Sequence, residues 1–309
     1  MLVFAASDKG GTGRSVTSSN LVYRSALAGN DVCYLDFDFG SPTTGAIFQI
    51  NSILRGTSRG GLHSYLDGSR PSPERLDVWA ESDRKSLRQR PAQAGRMVLF
   101  PGDRGKGEFP IDKDIVDRCV KLFLQVEEEF DLALIDLSSG RSYATEMVLA
   151  ATARAELQNV GQRWLIFHRW TRQHVLAAAN LVYGEGGILA VGKQYEHKPE
   201  HLTNSLRFVR TAVVNPDEPE ESANLEGLRP AQASWLKEVH QDLLELANQQ
   251  KVGRTLTLGE VPLDPVLQWR EQLISDNDVS DRMIANAATV DAFELLAEKI
   301  MIDSAWGTP

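Results

Sequence analysis

The stretch "MLVFAASDKGGTGRSVTSSNLVYRSALAG", residues 1–29, decides how the rest of the chain is read. A strand-like run, "LVFAA", passes through a glycine-rich turn, "DKGGTGRS" at 8–15, into a helix-like segment that Gly29 stops. Strand, turn and helix in that order aim backbone N–H groups and the positive end of the helix at one point, which makes a site for anions. Glycines let the backbone approach closely and take positive φ. The turn adds two cations, Lys9 and Arg14, and a hydroxyl, Ser15.

Outward from this stretch, strand-like and helix-like segments alternate almost to the end, the pattern of an α/β protein with a doubly wound, mainly parallel sheet flanked by helices. "DVCYLDFD" (31–38), "DLALIDL" (131–137), "RWLIFH" (163–168), "LRFVRTAVVN" (206–215) and "TLTLGEV" (255–261) read as strands. "DIVDRCVKLFLQVEEEF", "TRQHVLAAANLVYG" and "PAQASWLKEVHQDLLELANQQ" read as helices between them. "SDRMIANAATVDAFELLAEKI" is expected to close the chain as a helix with Ser280 as its N-cap. Residues 55–112, rich in Gly, Pro, Arg and Ser around the apolar run "RMVLF", and residues 184–205 break the alternation. Both are expected to be insertions in a single domain spanning 1–309.

Composition narrows the function classes. The chain has 309 residues, 42% hydrophobic and 24% charged, with a formal net charge of −9. An acidic balance argues against nucleic acid as an obligatory partner, although "DRKSLRQRPAQAGR" (83–96) is locally basic. No run reaches the roughly 18–20 apolar residues that span a bilayer, and no secretion signal is evident. Cys33 and Cys119 read as buried thiols in a reducing compartment, which makes the cytoplasm the expected location.

Two ligands use a strand–glycine turn–helix. The dinucleotide reading finds Gly11-x-Gly13 and Asp36 at the end of the next strand, but Val16 stands at the third glycine position. That reading also has no use for Lys9 or Ser15. A triphosphate needs a cation on its phosphates, a hydroxyl on its metal and an acid ending an apolar strand. Lys9, Arg14, Ser15 and Asp136 supply these, and the triphosphate reading is preferred.

With these residues assembled, the chain resembles the deviant Walker A ATPases, the MinD/ParA group of P-loop proteins. The group's loop runs Lys-Gly-Gly-x-Gly-Lys-Ser/Thr, and "KGGTGRS" is similar with Arg14 in place of the second lysine. Asn20 and Leu21 follow at the family's spacing. "YLDFDFGSPTTGAIF" resembles the second motif and "LIDLSSG" the Walker B strand and turn; "GGLHSYL", "MVLFPGD", "VVNP" and "LGEVPLDP" resemble further family segments. The resemblance implies ATP and Mg²⁺ as ligands. It implies that Gly10, Gly11, Thr12, Gly13, Arg14, Ser15 and Val16 cradle phosphates, and that Ser15, Asp36 and Asp136 serve the metal. Asp38 would orient the attacking water, and Asn215 with the backbone from Pro262 to Asp264 would hold the adenine. Lys9 would cross to the phosphates of a partner subunit and neutralise transition-state charge in trans.

Arg14 is the departure. A guanidinium is planar, forked and larger than an ammonium, so nucleotide binding is expected to survive while hydrolysis is slow or partner-stimulated. The expected function is an ATP-binding, ATP-dependent dimerising ATPase that acts as a positioning or partition switch through an effector protein. The alternative is a nucleotide-controlled adaptor with little turnover. Non-specific DNA as a further partner would draw on Arg270, Arg282 and Lys299, a sparse supply. A membrane partner is disfavoured, because "FELLAEKIMIDSAWGTP" carries Glu294, Glu298 and Asp303 where a basic amphipathic tail is needed. "HRWTRQH" offers His168 and His174 at no usual zinc spacing, and Trp170 and Arg172 as candidates for partner contact.

Overall fold

The apolar runs become strands β1 (Leu2–Ala6), β2 (Val32–Phe37), β3 (Leu76–Asp77), β4 (Met97–Phe100), β5 (Leu132–Leu137), β6 (Gln162–Arg169), β7 (Leu206–Val213) and β8 (Thr257–Pro262). They belong to a computed structural model that describes residues 1–216 and 229–306. All eight join one sheet in the order β3-β4-β2-β5-β1-β6-β7-β8, parallel except for β3, which runs against β4. β1, β2 and β5 are buried along their whole length, which is why they read as continuous apolar runs rather than alternating ones.

Alternate residues of β1 feed two cores. Val3 and Ala5 face the helices Arg14–Leu27 and Ala287–Met301, while Leu2, Phe4 and Ala6 face Lys113–Glu129, Tyr143–Thr152 and Arg172–Tyr183. The helix Lys113–Glu129 starts where the Asp112 carboxylate accepts the Ile115 N–H, and it buries Ile115, Cys119, Phe123 and Val126 at helical spacing. Cys33 and Cys119 are both buried free thiols, and burial pushes both pKa values up.

Two expectations gain detail and two need correction. The segment 55–112 does not lie wholly outside the sheet: "RMVLF" supplies β4, which pairs with β2 from Val32↔Met97 to Leu35↔Phe100. The segment 184–205 forms two short helices, Ile188–Gln194 and Pro199–Asn204. The final helix begins at Ala287 rather than after Ser280, because the Asp264 carboxylate accepts from the Asn286 N–H (2.8 Å) and the Thr289 hydroxyl (2.8 Å). Ser280 instead ends a short helix, Asp276–Ser280, that Ser275 and Asp278 cap reciprocally. Lastly, Arg172–Gln194 is long and apolar enough by composition to cross a membrane, contrary to the reading of the sequence. It comprises two helices, and Val175, Ala178, Leu181, Val182 and Ile188 are buried in the protein core.

Candidate functional site

Parallel strands place their carboxyl ends along one edge of the sheet, and the loops leaving β1, β2, β5, β6, β7 and β8 meet there. They enclose a cleft of about 650 Å³. Its wall includes Ser7 and Gly10 to Thr17, then Asp38, Ser139, Arg169, Thr211, Ala212, Pro262 and Asp264. The loop takes its turn at Gly11 (φ 72°) and Gly13 (φ 75°), left-handed conformations that glycine adopts without strain. Gly13 is also the N-cap of Arg14–Leu27 and offers no side chain to the first helical N–H groups, which stay free of a side-chain cap. Asn20 anchors that helix: its amide donates to the carbonyls of Val16 (2.9 Å) and Gln272 (3.1 Å) and accepts the Ile274 N–H (2.8 Å).

Arg14 lies beneath the loop, 6% exposed. Its Nε donates to Asp136 Oδ1 (2.5 Å), Nη1 to the Ser7 hydroxyl (3.1 Å), and Nη2 to Asp38 Oδ2 (3.2 Å) and the Ser15 hydroxyl (3.4 Å). The other Asp136 oxygen accepts the Tyr34 hydroxyl at 2.7 Å. Burial opposes the charge on Arg14, but the attraction of Asp136 and then of Asp38 outweighs it and raises the guanidinium pKa. Asp38 is the more open of the two acids, at 27% side-chain exposure against 1% for Asp136. Burial raises the Asp38 pKa, against the opposing pull of Arg14.

Asp36 stands opposite Asp136 in the register of β2 and β5, but it does not line the cleft. Its carboxylate accepts the N–H groups of Thr44 (3.2 Å) and Asp38 (3.3 Å), so it shapes the loop that presents Asp38. Burial pushes its pKa up to about 7. Lys9 is half-buried beside Gly10 and is not part of the wall. The His174 pKa is lowered first by burial and then by the charges of Arg169 and Lys9, which marks an electropositive margin on this side of the loop. Asn215 follows β7 and does not line the cleft, whereas Pro262 does. Asp264 reaches the wall, yet its side chain is committed to Val266, Asn286 and Thr289 and its carbonyl accepts the Leu267 N–H at 3.1 Å.

The structure adds Arg169 and Thr211, which the sequence reading missed. Arg169 ends β6, next to β1 in the sheet, and its Nη2 donates to the neutral Gln268 Oε1 at 3.3 Å. The signal was present: a cation at the end of a strand adjoining β1 points to the same edge as the loop. Thr211 donates its hydroxyl to the Thr12 carbonyl at 2.5 Å and so ties β7 to the loop. His168 is 1% exposed with its pKa lowered by burial to about 4, and no cluster of three His, Cys, Asp or Glu able to hold a metal occurs among the described residues. Trp170 is buried as well, against Arg210 and His240, while Arg172 is exposed. A second hollow of about 590 Å³, between Lys113–Glu129 and Tyr143–Thr152, lies away from the glycine loop.

No protein-family profile and no curated protein sequence matches the chain. Solved structures do. A MinC:MinD cell division protein complex from Aquifex aeolicus shares 15% identity at a TM-score of 0.57, covering 97% of this chain and 95% of that one. A putative plasmid partition protein from Borrelia burgdorferi, bound to AMPPNP, shares 13% at 0.57 over 96% of both chains. The septum site-determining protein MinD from Pyrococcus horikoshii OT3, complexed with Mg-ADP, shares 15% at 0.51 over 97% and 95%. These likenesses run nearly end to end, and the chain has the fold of the MinD and plasmid-partition proteins.

Proposed function

We propose that this protein is a nucleotide switch of the MinD/ParA type: it binds ATP in the cleft over β1, pairs with a second copy in the ATP state, and presents the pair to an effector protein as a positioning or partition device. The observation that carries the reading is the glycine loop with positive φ at Gly11 and Gly13, standing over the buried Arg14–Asp136–Asp38 lattice. The AMPPNP and Mg-ADP in two solved structures of this fold support it. Lys9, outside the wall of its own cleft, is the residue assigned to reach across the dimer. A triphosphate held between two protomers makes contacts that a diphosphate lacks, so it favours the pair by that difference.

Turnover is slow in this reading. Asp38 is the carboxylate placed to orient water, and its Oδ2 is bonded to Arg14. A divalent metal does not fit the donor set as it stands, since Asp136 is bonded through both oxygens and Ser15 and Asp38 both face the guanidinium. This favours the adaptor form of the switch, in which occupancy rather than hydrolysis changes partners. DNA is a weaker prospect: of the three cations Arg282 is exposed but paired with Asp278 (2.8 Å), Lys299 is half-buried and donates to the Leu258 carbonyl (3.0 Å), and Arg270 is exposed.

The test is light-scattering molar mass with and without a non-hydrolysable ATP mimic. Doubling of mass with the mimic is expected, and Lys9→Ala is expected to bind the mimic while remaining monomeric. An unchanged mass at saturating mimic would remove the switch. Isolated protein turning over at about 1 s⁻¹ would contradict the slow-site argument.

A further inference from the structure

We propose that Arg14 is the resident cation of this site: its guanidinium stands where a divalent metal would serve the nucleotide, and a nucleoside triphosphate binds here without one. The inference rests on the nucleotide reading above and concerns what neutralises the phosphates.

The geometry carries it. The groups that the resemblance assigns to the metal side or to the attacking water include Ser15, Asp136 and Asp38, and Arg14 bonds all three between 2.5 and 3.4 Å, with Ser7 as a fourth partner. A Mg²⁺ ion needs oxygens at about 2.0–2.1 Å in near-octahedral array. It would have to take the same oxygens from a neighbour that carries its charge at every accessible pH. Each of those oxygens would then face two cations at once, and the one built into the chain is covalently held and 6% exposed. Asp36, the third acid, is turned to the backbone of Asp38 and Thr44.

Arginine suits this role where lysine does not. A guanidinium has five N–H donors in a fixed plane, and the four bonds to Asp136, Ser7, Asp38 and Ser15 leave one Nη1 hydrogen for a phosphate oxygen at the cleft wall, which Arg14 helps to form. An ammonium has three donors on one atom and could not hold both acids and both hydroxyls. The guanidinium brings one positive charge where a divalent ion brings two. Arg169, whose bonded partner is the neutral Gln268, supplies a second cation within the same cleft.

The test is equilibrium binding of AMPPNP to the full chain by calorimetry, in EDTA and then in excess MgCl₂, with wild type and Arg14→Lys. Wild type is expected to bind in EDTA, with magnesium changing Kd by less than about threefold. Arg14→Lys, checked for folding by its thermal transition, is expected to open the acids to metal and to bind at least about tenfold more tightly with magnesium than without. Wild-type binding that appears only with magnesium would overturn this inference and leave the nucleotide reading standing. No binding in either condition would overturn the nucleotide reading itself. Equal magnesium dependence in both proteins would also overturn the role given to Arg14.

Discussion

The two ends of the cleft are built in different ways. At the phosphate end, side chains form a closed lattice in which Arg14 holds Asp136, Asp38, Ser7 and Ser15, and Tyr34 holds Asp136 from below. At the other end, backbone defines the wall. β7 and β8 lose register between Arg210 and Val213, Ala212 sits at φ 50°, and Pro262 ends β8 without an N–H to donate. A fixed lattice selects charge, because its dipoles and ions need no rearrangement when an anion arrives. An irregular edge selects shape. The difference explains why the loop and its acids were legible as motifs, whereas on the opposite wall Pro262 and Asp264 were expected only through the resemblance and Thr211 and Ala212 were not expected at all.

The largest effect is expected at the lattice. Arg14→Ala leaves the Asp136 and Asp38 carboxylates without their cation, and removing one partner of a buried pair costs about 3–5 kcal/mol. Urea unfolding should show a loss in that range together with loss of nucleotide binding. A loss below about 1 kcal/mol would mean that the lattice is not the stiffer end of the cleft.

A pH profile sharpens the same contrast. Asp36 titrates at about 7 in the folded protein, well above an unfolded aspartate near 4. Its folded form therefore holds a proton that the unfolded chain has released. The contribution to stability is fully present in acid and is lost as pH rises through the window from about 4 to about 7. The total is of the order of 4 kcal/mol. Asp36→Asn should flatten that part of the stability–pH curve, measured by denaturant unfolding across the window; an unchanged slope would assign the effect elsewhere.

Smaller effects belong to the far wall. Thr211→Val deletes the hydroxyl bonded to the Thr12 carbonyl and is expected to cost about 1–2 kcal/mol, with a weakened grip of the loop on nucleotide. Ala212→Gly relieves a left-handed alanine and is expected to raise stability by about 0.5–1 kcal/mol. Thermal melts of both variants, set beside Arg14→Ala, place the two ends on one scale.

Much of the fold was legible because buried parallel strands are continuous apolar runs with turn residues at both ends. β1 matches its expected span, and β2 and β5 fall within a residue of theirs. The loop was legible because only glycines accept the φ of Gly11 and Gly13 without strain. Three things were hidden for physical reasons. β3 has two residues and no period to detect. The start of the last helix is set by Asp264, more than twenty positions upstream, rather than by a local cap. Arg169 looks like any strand-end cation until the sheet order sets β6 beside β1. Asp36 shows the converse: its type and place suggested a ligand, and its two backbone bonds make it the support of Asp38.

A crystal structure with AMPPNP grown without divalent metal tests the central claim most directly. The account predicts the triphosphate lying over the amides of Gly10 to Ser15, with the Arg14 guanidinium still on Asp136 and turned to a phosphate oxygen through Nη1. A nucleotide seated away from the loop, or Arg14 withdrawn from Asp136 with a metal bound in its place after magnesium is soaked in, would contradict it.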